Sequence, residues 1–148
     1  MRVQGTFDTA ADAAELRSLT SSPDTLATVP TFTELRLRDD GTIVVQFSPL
    51  ISLGQITLDT VISPGVVDAH SATVRVVARR GNQLVSVDLV IRFDDSSAGS
   101  HVQWEADVLL GGTVASVGQR VGAEVARRAI GEVLEAAAAA AAAVGVPA

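Results

Sequence analysis

The chain contains no cysteine. Disulfides, thiolate metal sites and cysteine nucleophiles are therefore excluded. A cytosolic location fits this composition, although it does not require it. There is no tyrosine, and Trp104 is the single tryptophan. The only histidines, His70 and His101, fall near strand starts or turns and belong to no spaced ligand set. An exposed or structural role is expected for each, and a zinc site would need carboxylates that no motif supplies. Basic residues are outnumbered, 11 against 17 acidic, for a net charge of −6. Such a chain repels phosphate backbones and gains nothing from an anionic bilayer, so nucleic acid is not an expected partner. The opening residues Met1-Arg2-Val3-Gln4-Gly5 lack an apolar h-region, so no signal peptide is expected. The longest uncharged apolar run, Ala136 to Ala148, is shorter than the roughly 17–25 residues of a spanning helix, so no transmembrane helix is expected. The sequence has neither a Gly-x-Ser-x-Gly elbow nor a Walker loop.

What remains is apolar and patterned. Of 148 residues, 47% are apolar and 19% charged, too apolar for disorder and enough for one domain with a core. The expected organisation is a single domain over residues 1–144 with a frayed end at 145–148. Arg2 to Phe7 alternates as a strand. Ala10 to Ser18 reads as a helix capped by Asp8 or Thr9, and Pro23 opens a second short helix that Pro30 closes. The period then becomes two. Leu35 and Leu37 oppose Glu34, Arg36 and Arg38, and Asp39-Asp40-Gly41 marks a hairpin. Ile43, Val45 and Phe47 share a face before the bend at Ser48-Pro49-Leu50. Further alternations carry Ile56, Leu58 and Thr60, then Ala72, Val74 and Val76, then Val85 to Phe93, then Val102 to Leu110. Turns are expected at Pro64-Gly65 and Arg80-Gly81-Asn82, and a polar loop over Asp94 to Ser100.

After Gly111-Gly112 the chain reads as one helix to about Val144, about 30 residues or roughly 45 Å. Val117, Val121, Val125, Ala129 and Val133 recur at i+4, with Ala115, Gly118, Gly122, Ala126 and Ile130 beside them and charges outside. The low-complexity tract Ala136 to Ala143 is expected to extend this helix while burying little surface of its own. One-sided strands indicate an antiparallel sheet with one wet face, and only the last helix is long enough to cover the other. The expected class is α+β: a curved antiparallel sheet of six to seven strands around a long C-terminal helix, with two short helices after the first strand.

That order resembles the helix-grip fold of the START and birch-pollen-allergen (SRPBCC) superfamily. The run from Glu105 through Gly111-Gly112 and Ala115 to Gly118 and Arg120 is similar to the strand–Gly-Gly–helix signature of the carbon monoxide dehydrogenase CoxG family. Ser48-Pro49-Leu50-Ile51-Ser52-Leu53 resembles that family's bend between strands. The chain departs from the pattern at Pro30-Thr31, where the family carries Pro-Gly, and at Ser48, where it carries Gly. It also lacks the longer tail some members use to reach a membrane, so membrane attachment is not an expectation here. The resemblance implies an accessory protein, not an enzyme, without a cofactor. It implies binding of an apolar molecule such as a quinone or lipid, and service to a molybdenum-containing carbon monoxide dehydrogenase-type enzyme in the cytoplasm or at the inner face of the membrane.

The corresponding candidate lining is the inward-parity set Leu35, Phe47, Leu58, Val74, Val87, Leu89, Ile91, Trp104 and Val108, with Val117 and Val121 from the helix. Gly111, Gly112, Ala115, Gly118 and Arg120 are the motif residues, and Gly111-Gly112 reads as a strand-to-helix corner. Trp104 is either a core anchor or a cavity wall that stacks on a flat ligand. Asp59, Asp88, Glu105 and Asp107 fall on the outward parity and read as solvated charges. Two other readings stay open: a cyclase or hydrolase on the same fold, for which Thr60 and Gln55 are the available inward polar residues, and a docking module with a filled core.

Overall fold

The computed structural model describes residues 1–19, 22–48, 50–51, 54–55, 57–112 and 119–145. The chain runs β1 (Arg2–Thr9), α1 (Ala13–Arg17), α2 (Pro23–Leu26), β2 (Phe32–Leu37), β3 (Ile43–Phe47), β4 (Leu50–Ile51), β5 (Gly54–Gln55), β6 (Leu58–Val67), β7 (Ser71–Arg80), β8 (Gln83–Ser96), β9 (Gly99–Gly111) and α3 (Gln119–Gly145). Seven strands make one antiparallel sheet in the order β1-β9-β8-β7-β6-β3-β2. The expected α+β class and order hold, and the bend near Ser48 also contains a two-stranded ladder, β4 with β5.

Several boundaries differ from the sequence reading, each for a local reason. The first helix starts at Ala13, not Ala10, because β1 continues to Thr9 in register with Ser100. Its cap is Asp12. The Asp12 carboxylate accepts from the Glu15 N–H at 2.8 Å, and the Glu15 carboxylate accepts from the Asp12 N–H at 2.9 Å. Pro64-Gly65 is no turn but part of β6. Neighbouring β3 begins at Ile43, opposite Ile62, so past that point β6 overhangs and the missing Pro64 N–H is not needed by a partner strand. The ladder to β7 absorbs an irregularity between Pro64 and Val67, where the Thr73 hydroxyl accepts from the Val66 N–H at 2.9 Å. The expected loop over Asp94 to Ser100 is mostly ladder, with Asp94, Asp95 and Ser96 paired to His101, Ser100 and Gly99.

The core lies between the sheet and the three helices. α3 rests against β1 and also touches α1 and α2. Its buried side is the row of Leu134, Ala137, Ala138 and Ala141, continued by the half-buried Ala126 and Ile130. The alanine tract is thus helical as expected, but part of it is core: Ala137, Ala138 and Ala141 are buried. Methyl-sized side chains let two short helices approach a long one closely. Ala138→Leu should therefore destabilise the fold by about 1–3 kcal/mol despite alanine and leucine being similar helix formers. A urea melt followed by circular dichroism measures it.

Candidate functional site

The inward side chains of the sheet fall into two groups. At one end Ala72, Ile91, Phe93, Val102 and Trp104 are buried. Trp104 seals this end. It stands opposite Gly5 in the β1–β9 register, and a Cβ added at Gly5 would lie 2.7–2.8 Å from its indole. On the other side Gly131 of α3 meets the ring, with 3.7 Å from an added Cβ to Trp104 Cζ2. The indole is thus sandwiched between a strand glycine and a helix glycine, at 4% exposure.

The other end is less deeply buried. Val76, Val85 and Leu110 share the inward parity of their buried neighbours Val74, Val87 and Val108, yet stay half-buried. On α3, Ala123, Ala126 and Ile130 are likewise half-buried and packed against the core. Leu35 and Phe47, towards the β2 edge, behave likewise. Val76, Val85, Leu110 and the three α3 side chains pack against the core cluster while keeping some accessible surface. At Gly122 an added Cβ would stand 3.0 Å from Leu110 Cδ1 and 3.4 Å from Met1 Cε, so the helix sits hard against β9 and β1.

The side chains around this end of the sheet are aliphatic. The buried polar group in the same cross-strand row is Thr60, beside Ala78 and Val45. At 2% exposure its hydroxyl donates to the Leu58 carbonyl at 3.0 Å and so satisfies itself locally. The side chain of Gln55 lies outside the described residues. The carboxylates keep their expected outward positions. Arg75 pairs with Asp88 at 3.2 Å, Gln46 donates to Asp59 at 2.6 Å, and Arg2 grips both oxygens of Asp107 at 3.2 and 3.3 Å. The hydrogen bond from Arg2, and then its charge, hold the Asp107 carboxyl below its ordinary range. The bond from Arg127 does the same for Glu124 on the outer surface of α3. His101 bonds Asp8 at 2.8 Å and His70 faces the Phe93 carbonyl at 3.2 Å, both structural roles. Among the described residues no group of three or more histidine or acidic side chains is placed to hold a metal ion.

Of the candidate lining residues, Leu58, Val74, Val87, Leu89, Ile91, Trp104 and Val108 are buried inward, and Leu35 and Phe47 half-buried. Val121 is a correction. It is 53% exposed and its row-mate Val125 46%. The inward row is the neighbouring one, through Gly122, Ala126, Ile130 and Leu134. Branched side chains at the contact would hold the helix away from Leu110 and Met1, whereas glycine admits them. Val117, Ala115 and Gly118 lie outside the described residues, as does the side chain of Arg120. Val76, Val85 and Leu110 share this inward face and stay half-buried, although sequence reasoning did not single them out; parity identifies a face and not how deeply each residue on it is buried.

Residues 5–142 match the profile of the carbon monoxide dehydrogenase CoxG family. No curated protein sequence matches the chain. Among solved structures, a conserved protein from Geobacillus kaustophilus superposes with a TM-score of 0.78 at 17% identity, over 93% of this chain and 92% of that one. A START superfamily protein from Mycobacterium smegmatis gives 0.66 at 13% identity, over 91% and 92%. The di-domain ARO/CYC protein BexL gives 0.60 at 18% identity, over 93% of this chain and 48% of that one. At such identities the likeness shows the fold, which is the helix-grip architecture of the START-like proteins. No helix among the described residues is long and apolar enough to cross a membrane.

Proposed function

The chain belongs to the carbon monoxide dehydrogenase CoxG family, and on that premise we propose that it is a non-catalytic accessory protein that holds an apolar small molecule, a quinone or a lipid, between the sheet and the first half of α3. One observation supports this above others: Val76, Val85 and Leu110 point inward yet keep accessible surface, with Leu110 beside Gly122 of α3. Surface of this kind favours an apolar occupant by about 25 cal/mol per Å² removed from water. In this reading Leu35, Phe47, Leu58 and Val87 complete the wall, while Trp104 and Ile91 close its far end. The molecule held would serve a molybdenum-containing carbon monoxide dehydrogenase-type enzyme, from the cytoplasm or the inner face of the membrane.

A fold neighbour is an ARO/CYC protein, so a cyclase-type enzyme is the competing reading. It requires an acid or base facing the space. The inward polar group on hand, Thr60, does not ionise at physiological pH and already donates its hydrogen to Leu58.

Native mass spectrometry of the purified chain, followed by organic extraction, tests the proposal. A near-stoichiometric quinone or lipid is expected. Ala126→Phe combined with Val85→Phe should fill the space and weaken binding at least about tenfold, a change of about 1.4 kcal/mol, while the circular dichroism spectrum is kept. An apo mass that stays unchanged after incubation with menaquinone analogues and fatty acids would remove the reading's main support.

A further inference from the structure

A concavity lies at the β2 edge of the sheet, sharing Leu35 with the wall proposed for the interior ligand. It is an open cleft of about 360 Å³ between α2 and the edge strand β2. Pro23, Ala27, Phe32, Leu35 and Leu37 give it an apolar floor, and Asp24 and Glu34 supply its charge. Phe32 is fixed from behind by Phe47, edge to face with centroids 5.6 Å apart. Leu37 is 58% exposed, a large aliphatic side chain left open to solvent.

The backbone explains how these groups come to one place. In a regular strand Phe32, Thr33, Glu34 and Leu35 would alternate between faces. Here the β2–β3 register shifts between Thr33 and Arg36, and Glu34 takes φ of 53°. This bulge lets four successive residues line one cleft. It also interrupts the edge, which disfavours simple addition of another strand. Recognition would then run through side chains in the cleft.

The charge is one-sided. Asp24 and Glu34 line the cleft, and no basic residue among the described residues does. Neither carboxylate is in an ion pair among the described residues, whereas Asp88, Asp107 and Glu124 are paired. The complement is a side chain with an aliphatic stem and a cationic head. An arginine or lysine can lay its methylenes along Phe32 and Leu35 while its head reaches the carboxylates. We propose that the cleft between α2 and β2 docks a short segment of a partner protein in which an arginine or lysine stands next to an aliphatic residue. The aliphatic neighbour covers Leu37. Asp24, Glu34 and Leu37 line this cleft and are no part of the proposed interior wall, so substituting them tests the cleft apart from the interior ligand.

The test is a titration of the full-length ¹⁵N-labelled chain with the peptide acetyl-Ala-Leu-Arg-Leu-Ala-amide, and with the same peptide carrying Glu in place of Arg. The arginine peptide should shift amides within residues 23–27 and 32–37, and the acidic peptide should not. Asp24→Asn with Glu34→Gln should weaken binding about tenfold and flatten its salt dependence. Leu37→Ser, at an exposed position that threatens no core contact, should weaken it separately. The proposal is overturned if the arginine peptide leaves these amides unmoved, or if the acidic peptide moves them equally. It is also overturned if arginine amide alone binds as tightly, which would make the cleft a small-cation site. Concentration-dependent shifts of the same amides without peptide would instead assign the cleft to a second copy of this chain, and would overturn it too.

Discussion

Gly112→Ala should destabilise the protein by about 3 kcal/mol or more, while Gly111→Ala, one residue earlier, should change stability by less than about 1 kcal/mol. Gly112 has φ of +73°, in the left-handed region where an L side chain is strained. A Cβ added there would overlap the Asn82 carbonyl oxygen, with the Gln83 Cα also close. These are backbone atoms of the β7–β8 turn, which cannot swing aside as a side chain can. Gly111 is different. An added Cβ would stand 3.5 Å from Leu84 Cβ, an ordinary contact. Urea midpoints of the two variants, measured side by side, decide the matter. Equal midpoints would mean that the corner is not built as described. A large loss confined to Gly112 would show that one glycine of the pair is obligatory and its neighbour replaceable.

Trp104→Ala is the second large effect, about 3–5 kcal/mol of stability, or a fall in Tm of roughly 10 °C. The indole fills the space between Gly5 and Gly131, and neither glycine can reach across the gap it would leave. Trp104 is also the only tryptophan, so emission from the wild-type protein should be blue-shifted and poorly quenched by acrylamide. A quinone added to the protein should leave the structural role of the ring unchanged. If Trp104→Ala instead kept its Tm and lost only ligand affinity, the residue would be a cavity wall and not an anchor. The sequence left both roles open because inward parity is the same for each. What separates them is the pair of glycines pressing on the ring from two different elements, and those are 126 positions apart in the chain, Gly5 and Gly131.

Much of the architecture was legible early, since strand alternation has a local cause. Val85 to Phe93 and Val102 to Leu110 alternate in sequence and face the core in space. The errors sit where a neighbour overrode a local signal. Pro64-Gly65 carries turn chemistry, but β6 continues through it because β3 starts opposite Ile62 and so does not reach Pro64. Ala10 could begin a helix, but pairing with β9 holds Thr9 in the sheet. For the site, parity placed Leu58, Val74, Val87 and Val108 on the correct face, yet gave no sign that Val76, Val85 and Leu110 would stay half open. On α3 the valine row looked like the buried stripe because valine is the more apolar residue. At the start of α3 the row that packs is the one through Gly122, because close approach to Leu110 and Met1 requires a small side chain; the valine row turns inward only from Val133, Ala137 and Ala141 onward.

Composition and periodicity alone therefore established the class of fold, the absence of thiol chemistry and the outward placement of the acidic residues, and a short motif carried the likeness to the CoxG family. Those properties depend on residue identity and on repeats of two or about 3.6 positions, which neighbours in the chain decide. The contact of α3 with β1, the burial of Trp104 between Gly5 and Gly131, the partial exposure of Val76, Val85 and Leu110 and the cleft beside β2 came only from the tertiary structure. Each depends on the distance between elements far apart in sequence, which the volumes of opposing side chains set once the chain has folded.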